Sequence, residues 1–189
     1  MSRAYRIRVR ESIKRVVTAK DRISTQLEIL EILPPEQMAA LLAHELEKRG
    51  FQRRGGALVR PEKGITITID PEAGTVTIQA EGSREVELES EKEARAYDDT
   101  GPGAKRVKKD LQKLARQDLE EQARREAAAL QTRVTDALEG RLADLRQELD
   151  QAVNRVTAEA LKRKAAQLGQ IKELTEDPQT GSLTIVVEV

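Results

Sequence analysis

From Gly103 to Gln167 the chain has no proline and, past Gly103 itself, a single glycine, Gly140; it is crowded with Ala, Leu, Glu, Lys, Arg and Gln. Side chains of these types keep most of their rotamer freedom in a helix, so the stretch predicts one long exposed α-helix or a helical hairpin over 104–168. As a single rod it would span about 95 Å at 1.5 Å per residue. Leu138, Leu142, Leu145, Leu149, Ala152 and Val156 recur at steps of three and four, and Ala123, Ala127, Leu130 and Val134 precede them in near register. A seam with that spacing buries itself against another helix. The chain either doubles back at Gly140 or continues and pairs with a second copy. No proline accompanies Gly140 and no capping residue follows it, which favours the rod. The expected assembly is a homodimer with Leu138, Leu142, Leu145, Leu149 and Val156 at the interface.

The residues before the helix carry strand signals. Tyr5, Ile7 and Val9 alternate with Arg6, Arg8 and Arg10, and Ile23, Thr25, Leu27 and Ile29 repeat the pattern beyond a polar break at Lys20-Asp21. This predicts a hairpin of 4–18 with 22–32. A helix over 22–33 stays open, because Ile23, Leu27 and Leu30 also fit a 3.6-residue period. Pro34-Pro35 ends that element, and Met38, Leu41, Leu42 and Leu46 mark one face of a helix closing near Gly50, with Phe51 as a core anchor.

Residues 57–89 return to strands. Ile65, Ile67 and Ile69 lead into Asp70-Pro71-Glu72-Ala73-Gly74, a turn in which proline presets the first dihedral and glycine accepts the left-handed position, and then into Thr75–Ile78. Val86 and Leu88 predict a further strand, and 90–103 read as charged, then loop-like. At the far end Asp177-Pro178-Gln179-Thr180-Gly181 repeats the earlier turn before Ser182–Ile185, so Ile171–Thr175 and Leu183–Val189 predict a terminal hairpin. Two strands alone are marginal in water and need a cover. The expected architecture is α+β: a small antiparallel head over 1–97 with one short helix, a linker at 98–103, a coiled-coil arm over 104–168, and a hairpin over 169–189 packed on a head in cis or in trans.

Chemistry is limited by what the chain lacks. There is no cysteine and one histidine, His44, whose neighbour one turn on is Lys48 rather than a second ligand. This excludes thiolate chemistry and a two-histidine zinc helix, and places His44 on a helix surface. Gly101-Pro102-Gly103-Ala104-Lys105-Arg106 lacks the phosphate-loop spacing and reads as a helix entrance. Carboxylate pairs such as Asp98-Asp99 and Glu120-Glu121 lie in polar stretches where nothing tunes them. No catalytic, cofactor or metal residue is expected. The 33 basic and 33 acidic residues cancel, yet 3–22 hold a local basic excess of six. Arg6, Arg8 and Arg10 on one strand face are the candidate anion or nucleic-acid contact. Stacking aromatics are few, since Tyr5, Phe51 and Tyr97 are the whole inventory, which favours a charged edge strand protected from aggregation. No run of about 20 apolar residues is present, so a cytoplasmic protein without a membrane span is expected.

The start Tyr5-Arg6-Ile7-Arg8-Val9, the hairpin Ile65–Ile78 and the strand Gly181-Ser182-Leu183-Thr184-Ile185 resemble the small accessory proteins encoded beside AAA+ ATPases and von Willebrand A proteins in bacterial FtsH/MoxR ternary systems. The resemblance covers the β-rich half. It implies a non-enzymatic component working with an ATPase in a conflict or stress response. The functional expectation is therefore an adaptor that oligomerises through its long helix and binds a protein partner, an AAA+ ATPase in particular. The alternative is a nucleic-acid-associated protein using the basic strand.

Overall fold

The computed structural model describes residues 5–96, 102–177 and 182–188. Alternation runs further along the chain than the sequence reading allowed. Tyr5–Gln26 is one strand of 22 residues, β1. Lys20-Asp21 does not break it, because neither residue demands a turn conformation and the two-residue period continues: Val17 and Ala19 are buried while Lys20 points outward. The expected hairpin of 4–18 with 22–32 and the helical alternative for 22–33 are both absent. After β1 the chain reaches helix α1, Pro35–Lys48, which starts on proline and buries Met38, Leu41, Leu42 and Leu46 as expected, with Phe51 buried just beyond it.

Three short strands follow: β2, Gln52–Arg54; β3, Ala57–Glu62; and β4, Ile65–Asp70. The Asp70–Gly74 turn forms as predicted. The Asp70 carboxylate accepts from the amides of Glu72 and Ala73, both at 3.0 Å, and Gly74 sits at φ +64. It feeds β5, Thr75–Ala96, a second strand of 22 residues. This one strand absorbs both the separate strand expected at Val86–Leu88 and residues 90–96 of the expected charged loop. Asp98, Asp99 and Gly101 of the predicted linker, and Tyr97, lie outside the described residues.

Helix α2 runs from Pro102 to Leu168 and passes straight through Gly140, so the chain does not fold back there. Gly140 is exposed, with nothing within 4 Å of the position its Cβ would take. Gly140→Ala is expected to stabilise the protein by about 1 kcal/mol through helix propensity alone. Urea unfolding checks it, and a loss of stability would mean that the backbone at 140 is not helical.

The terminal hairpin also forms, as β6, Gln170–Glu176, and β7, Leu183–Glu188. The repeated turn at 178–181 lies outside the described residues, though the Asp177 amide donates to the Ser182 carbonyl at 2.9 Å across it. The sheet order is β1-β5-β4-β3-β2, antiparallel, with β6-β7 a separate pair.

The chain divides into two compact units, and β1, β5 and α2 contribute to both. The first comprises residues up to Asp21 with Glu81–Asp136. Its core is small: Val9, Val17 and Ala19 of β1, Val86 of β5, and Ala104, Leu111, Ala115, Leu119 and Ala123 of α2. Alanines let helix and strands approach closely, and at Gly82 an added Cβ would stand 2.9 Å from the Val134 side chain. The second unit comprises Arg22–Ala80 with Ala137–Val189 and holds the larger core, including Leu42, Leu46, Leu58, Ile67, Ile69 and Ile78.

Candidate functional site

In the first unit the outward side chains of β1 and β5 form two rows of opposite sign. Arg6 pairs with Glu93 at 2.9 Å, Arg8 with Glu91 at 3.0 Å, Lys14 with Glu87 at 3.6 Å and Lys20 with Glu81 at 2.8 Å; Arg10 is hydrogen-bonded to Glu89. The three arginines offered for anion contact are thus each engaged by a glutamate of the neighbouring strand. Exposed pairs of this kind add little stability, yet they neutralise the strand locally. Between the ribbon and α2, the Asp118 carboxylate receives the buried Ser90 hydroxyl at 2.7 Å, Lys92 at 3.1 Å and Gln122 at 3.2 Å. The Ser90 hydrogen bond, seconded by Lys92, holds Asp118 below the usual carboxylate range.

At its start α2 carries Lys105, Arg106, Lys108, Lys109, Lys113 and Arg116, all exposed, against a single acid, Asp110. None of the six has an ion-pair partner among the described residues.

The second unit contains a cluster that periodicity could not announce. Arg60, on β3, donates from Nη1 and Nη2 to the two oxygens of Glu148, on α2, at 2.7 and 2.8 Å. It also donates to the Arg49 carbonyl at 2.9 Å and lies over the Phe51 ring, 4.3 Å from its centre. Its Nε is 2.7 Å from Glu62. Arg141 donates to both oxygens of Glu62 at 2.7 and 3.1 Å and stands 3.5 Å from Glu148. Two arginines and two glutamates therefore clamp α2 onto β3. The Arg60 hydrogen bonds depress Glu148, and those of Arg141 depress Glu62, both against the opposing effect of burial.

Stability therefore depends on pH in a definite direction. A carboxylate depressed in the folded state stabilises fully above its unfolded value, about 4.3 for glutamate, and the contribution is lost as pH falls through the folded value. Unfolding free energy should hold down to that point and drop below it, and Glu148→Gln should flatten the drop. An acid limb of unchanged slope in the variant would contradict this.

His44 is exposed on α1, as expected. It borders a cleft of about 450 Å³ with Lys48, Arg155 and Lys162, but the buried Glu45 beside it is already held by Arg49 at 3.1 Å and Arg155 at 3.6 Å. Among the described residues no three His, Cys, Asp or Glu side chains gather where they could hold a metal ion. Leu138, Leu145, Leu149 and Val156, read as a seam for a second chain, are buried within this chain, and Leu142 is half-buried. Their burial is within the chain itself.

The terminal hairpin differs from the rest. Register pairs Ile171 with Val187, Leu174 with Ile185 and Glu176 with Leu183, the shift at Lys172 keeping the aliphatic residues on one face. None of these five is buried. Gly169 permits the hairpin's return, since a Cβ there would stand 2.1 Å from the Glu188 carbonyl oxygen. Leu161, Leu168, Leu174 and Val186 are all exposed, at 39–61%. Leu174 belongs to the aliphatic face of the hairpin and Val186, paired with Glu173, to the other.

No helix among the described residues is long and apolar enough to cross a membrane. Among curated proteins and solved structures nothing matches the chain. A family model does, over residues 1–189, long helix included, and by that match the chain belongs to the family of the FtsH ternary system domain X5.

Proposed function

We propose that this chain is a non-catalytic accessory subunit that binds the AAA+ ATPase of its ternary system through the hairpin β6–β7 and the last turns of α2. The observation that carries the reading is the exposure of Leu161 and Leu168 on the last turns of one helix, and of Leu174 and Val186 on the two faces of a two-stranded sheet without a buried side chain among the described residues. Such a hairpin is marginal by itself and gains by docking. Family membership supports an ATPase as the class of partner. The described titratable groups that are shifted lie in arginine–glutamate or aspartate–serine–lysine contacts, which suit holding rather than turnover.

Co-expression with the system's ATPase, followed by affinity capture, tests this. Wild type should retain the ATPase, whereas Leu174→Lys with Val186→Lys should lose it while melting at an unchanged temperature. Retention by the variant, or no capture by wild type, would sink the reading. A homodimer through the same hairpin is the second reading, favoured because β6 and β7 each have only one neighbour among the described residues. Light scattering separates the two, since a mass of 21.1 kDa at every concentration leaves only the foreign partner. The nucleic-acid alternative has less support, because Arg6, Arg8 and Arg10 are already paired.

A further inference from the structure

We propose that the opening turns of α2 form a second docking surface, one that receives an acidic helical segment of a protein partner. The proposal rests on the accessory-subunit reading and adds the chemistry of a separate contact. Lys105, Lys109, Lys113 and Arg116 stand at i, i+4, i+8 and i+11, which puts them on one side of the helix with a rise of about 6 Å between the first three. Arg106 and Lys108 flank them. All are exposed.

Two features mark this stripe. The first is pairing: among the described residues Arg6, Arg8, Arg10, Lys14, Arg15 and Lys20 of the same unit all meet a carboxylate, whereas none of the six cations at 105–116 does. The second is position. The first turn of α2 contains no acidic residue, and the cations crowd the end of the helix where the macrodipole is already positive. An arrangement that local electrostatics disfavours is relieved when an anionic partner arrives.

The surroundings favour carboxylates over other anions. No aromatic residue occurs in α2 to stack on a base, so single-stranded nucleic acid lacks its usual platform. The apolar residues beside the stripe, Ala104, Leu111 and Ala115, are buried, and the exposed Leu114 falls half a turn round from Lys105, so a lipid surface would find no apolar anchor within the stripe. Glutamates at every fourth position of a partner helix rise by the same 6 Å or so as the lysines and can meet them in step.

The test uses the full-length protein and a fluorescein-labelled helical peptide with glutamate at every fourth position, read by anisotropy. A lysine-for-glutamate version of the peptide, a DNA duplex and vesicles of mixed neutral and anionic lipid serve as competitors. The acidic peptide should bind best, and K105E with K109E should weaken it by about tenfold or more, an effect that fades as salt shortens the Debye length. The variant should melt no lower than wild type, because it removes like charge from the helix start. Equal binding by wild type and variant, no binding at low salt, or tighter binding to duplex or vesicles would each overturn the proposal. Capture of the system's ATPase by wild type is scored separately. If capture fails while the peptide binds, the accessory reading falls and the stripe stands; if capture succeeds and the peptide fails, the reverse holds.

Discussion

Arg60→Ala is expected to cost about 3 kcal/mol of unfolding free energy, because it leaves the partly buried Glu148 with only the longer contact to Arg141 and the charge of Arg49, and strips the cation from Phe51. The Arg60 side chain is 14% exposed and that of Glu148 23%, so the loss falls toward the low end of what breaking a buried pair costs. Four contacts converge on this one side chain: a two-pronged bond to Glu148, a bond to the Arg49 carbonyl, the close approach to Glu62 and the Phe51 face. Lysine keeps the charge but has neither the fork nor the flat face, so Arg60→Lys should recover less than half of the loss. Combining Arg60→Ala with Glu148→Ala should cost at least about 1 kcal/mol less than the two singles added, the mark of groups that interact directly. Strict additivity in urea unfolding would show that the clamp contributes nothing as a pair.

Leu138→Ala should be as costly, about 3–4 kcal/mol, since the side chain is fully buried and its removal leaves a cavity on a helix that cannot collapse freely. Half-buried Leu142 should lose only about 1 kcal/mol on the same change, in proportion to the smaller area it hides. The Leu138 loss should also be the same at every protein concentration. A seam closed by a second chain would instead make apparent stability rise with concentration. A Leu138→Ala loss that changes with protein concentration, or a Leu138→Ala variant within about 1 kcal/mol of wild type, would return these leucines to an interface between copies.

The contrast between those two sites shows what the amino-acid order carries. The three- and four-residue steps through Leu138 and Val156 identify the face that hides from water but not the body that covers it, because periodicity is a property of one element and cover is a property of two. The Asp70–Gly74 turn was legible because its chemistry is local: one carboxylate, one proline and one glycine within five residues. The continuity of α2 past Gly140 was legible for the same reason, through the absence of proline and of a cap. Residues 90–96 misled because glutamate in alternation looks like a solvated loop until an arginine row is placed beside it, and β1 lies 79–85 residues away at Arg10–Glu89 and Arg8–Glu93. Lys20-Asp21 misled in the opposite way, as polarity without any residue that bends the chain. The Arg60 clamp joins positions 79–88 apart and left one hint only, an arginine and a glutamate framing a proline in an otherwise apolar strand.

The opposite signs of the β1 and β5 rows bear on how this protein behaves when crowded. β1 is an edge strand, and β4 pairs with β5 only from Thr75 to Ala80, so Glu81–Ala96 presents a second edge among the described residues. If two copies met β1 to β1, arginine would face arginine; β5 to β5, glutamate would face glutamate. Both approaches are penalised, since like charges directly opposite destabilise a strand pair. The penalty is electrostatic and therefore has a range, which shrinks to about 3 Å at 1 M salt. Ionic strength thus becomes a colloidal control, with brine rather than dilute buffer as the medium in which like edges of two copies can approach each other.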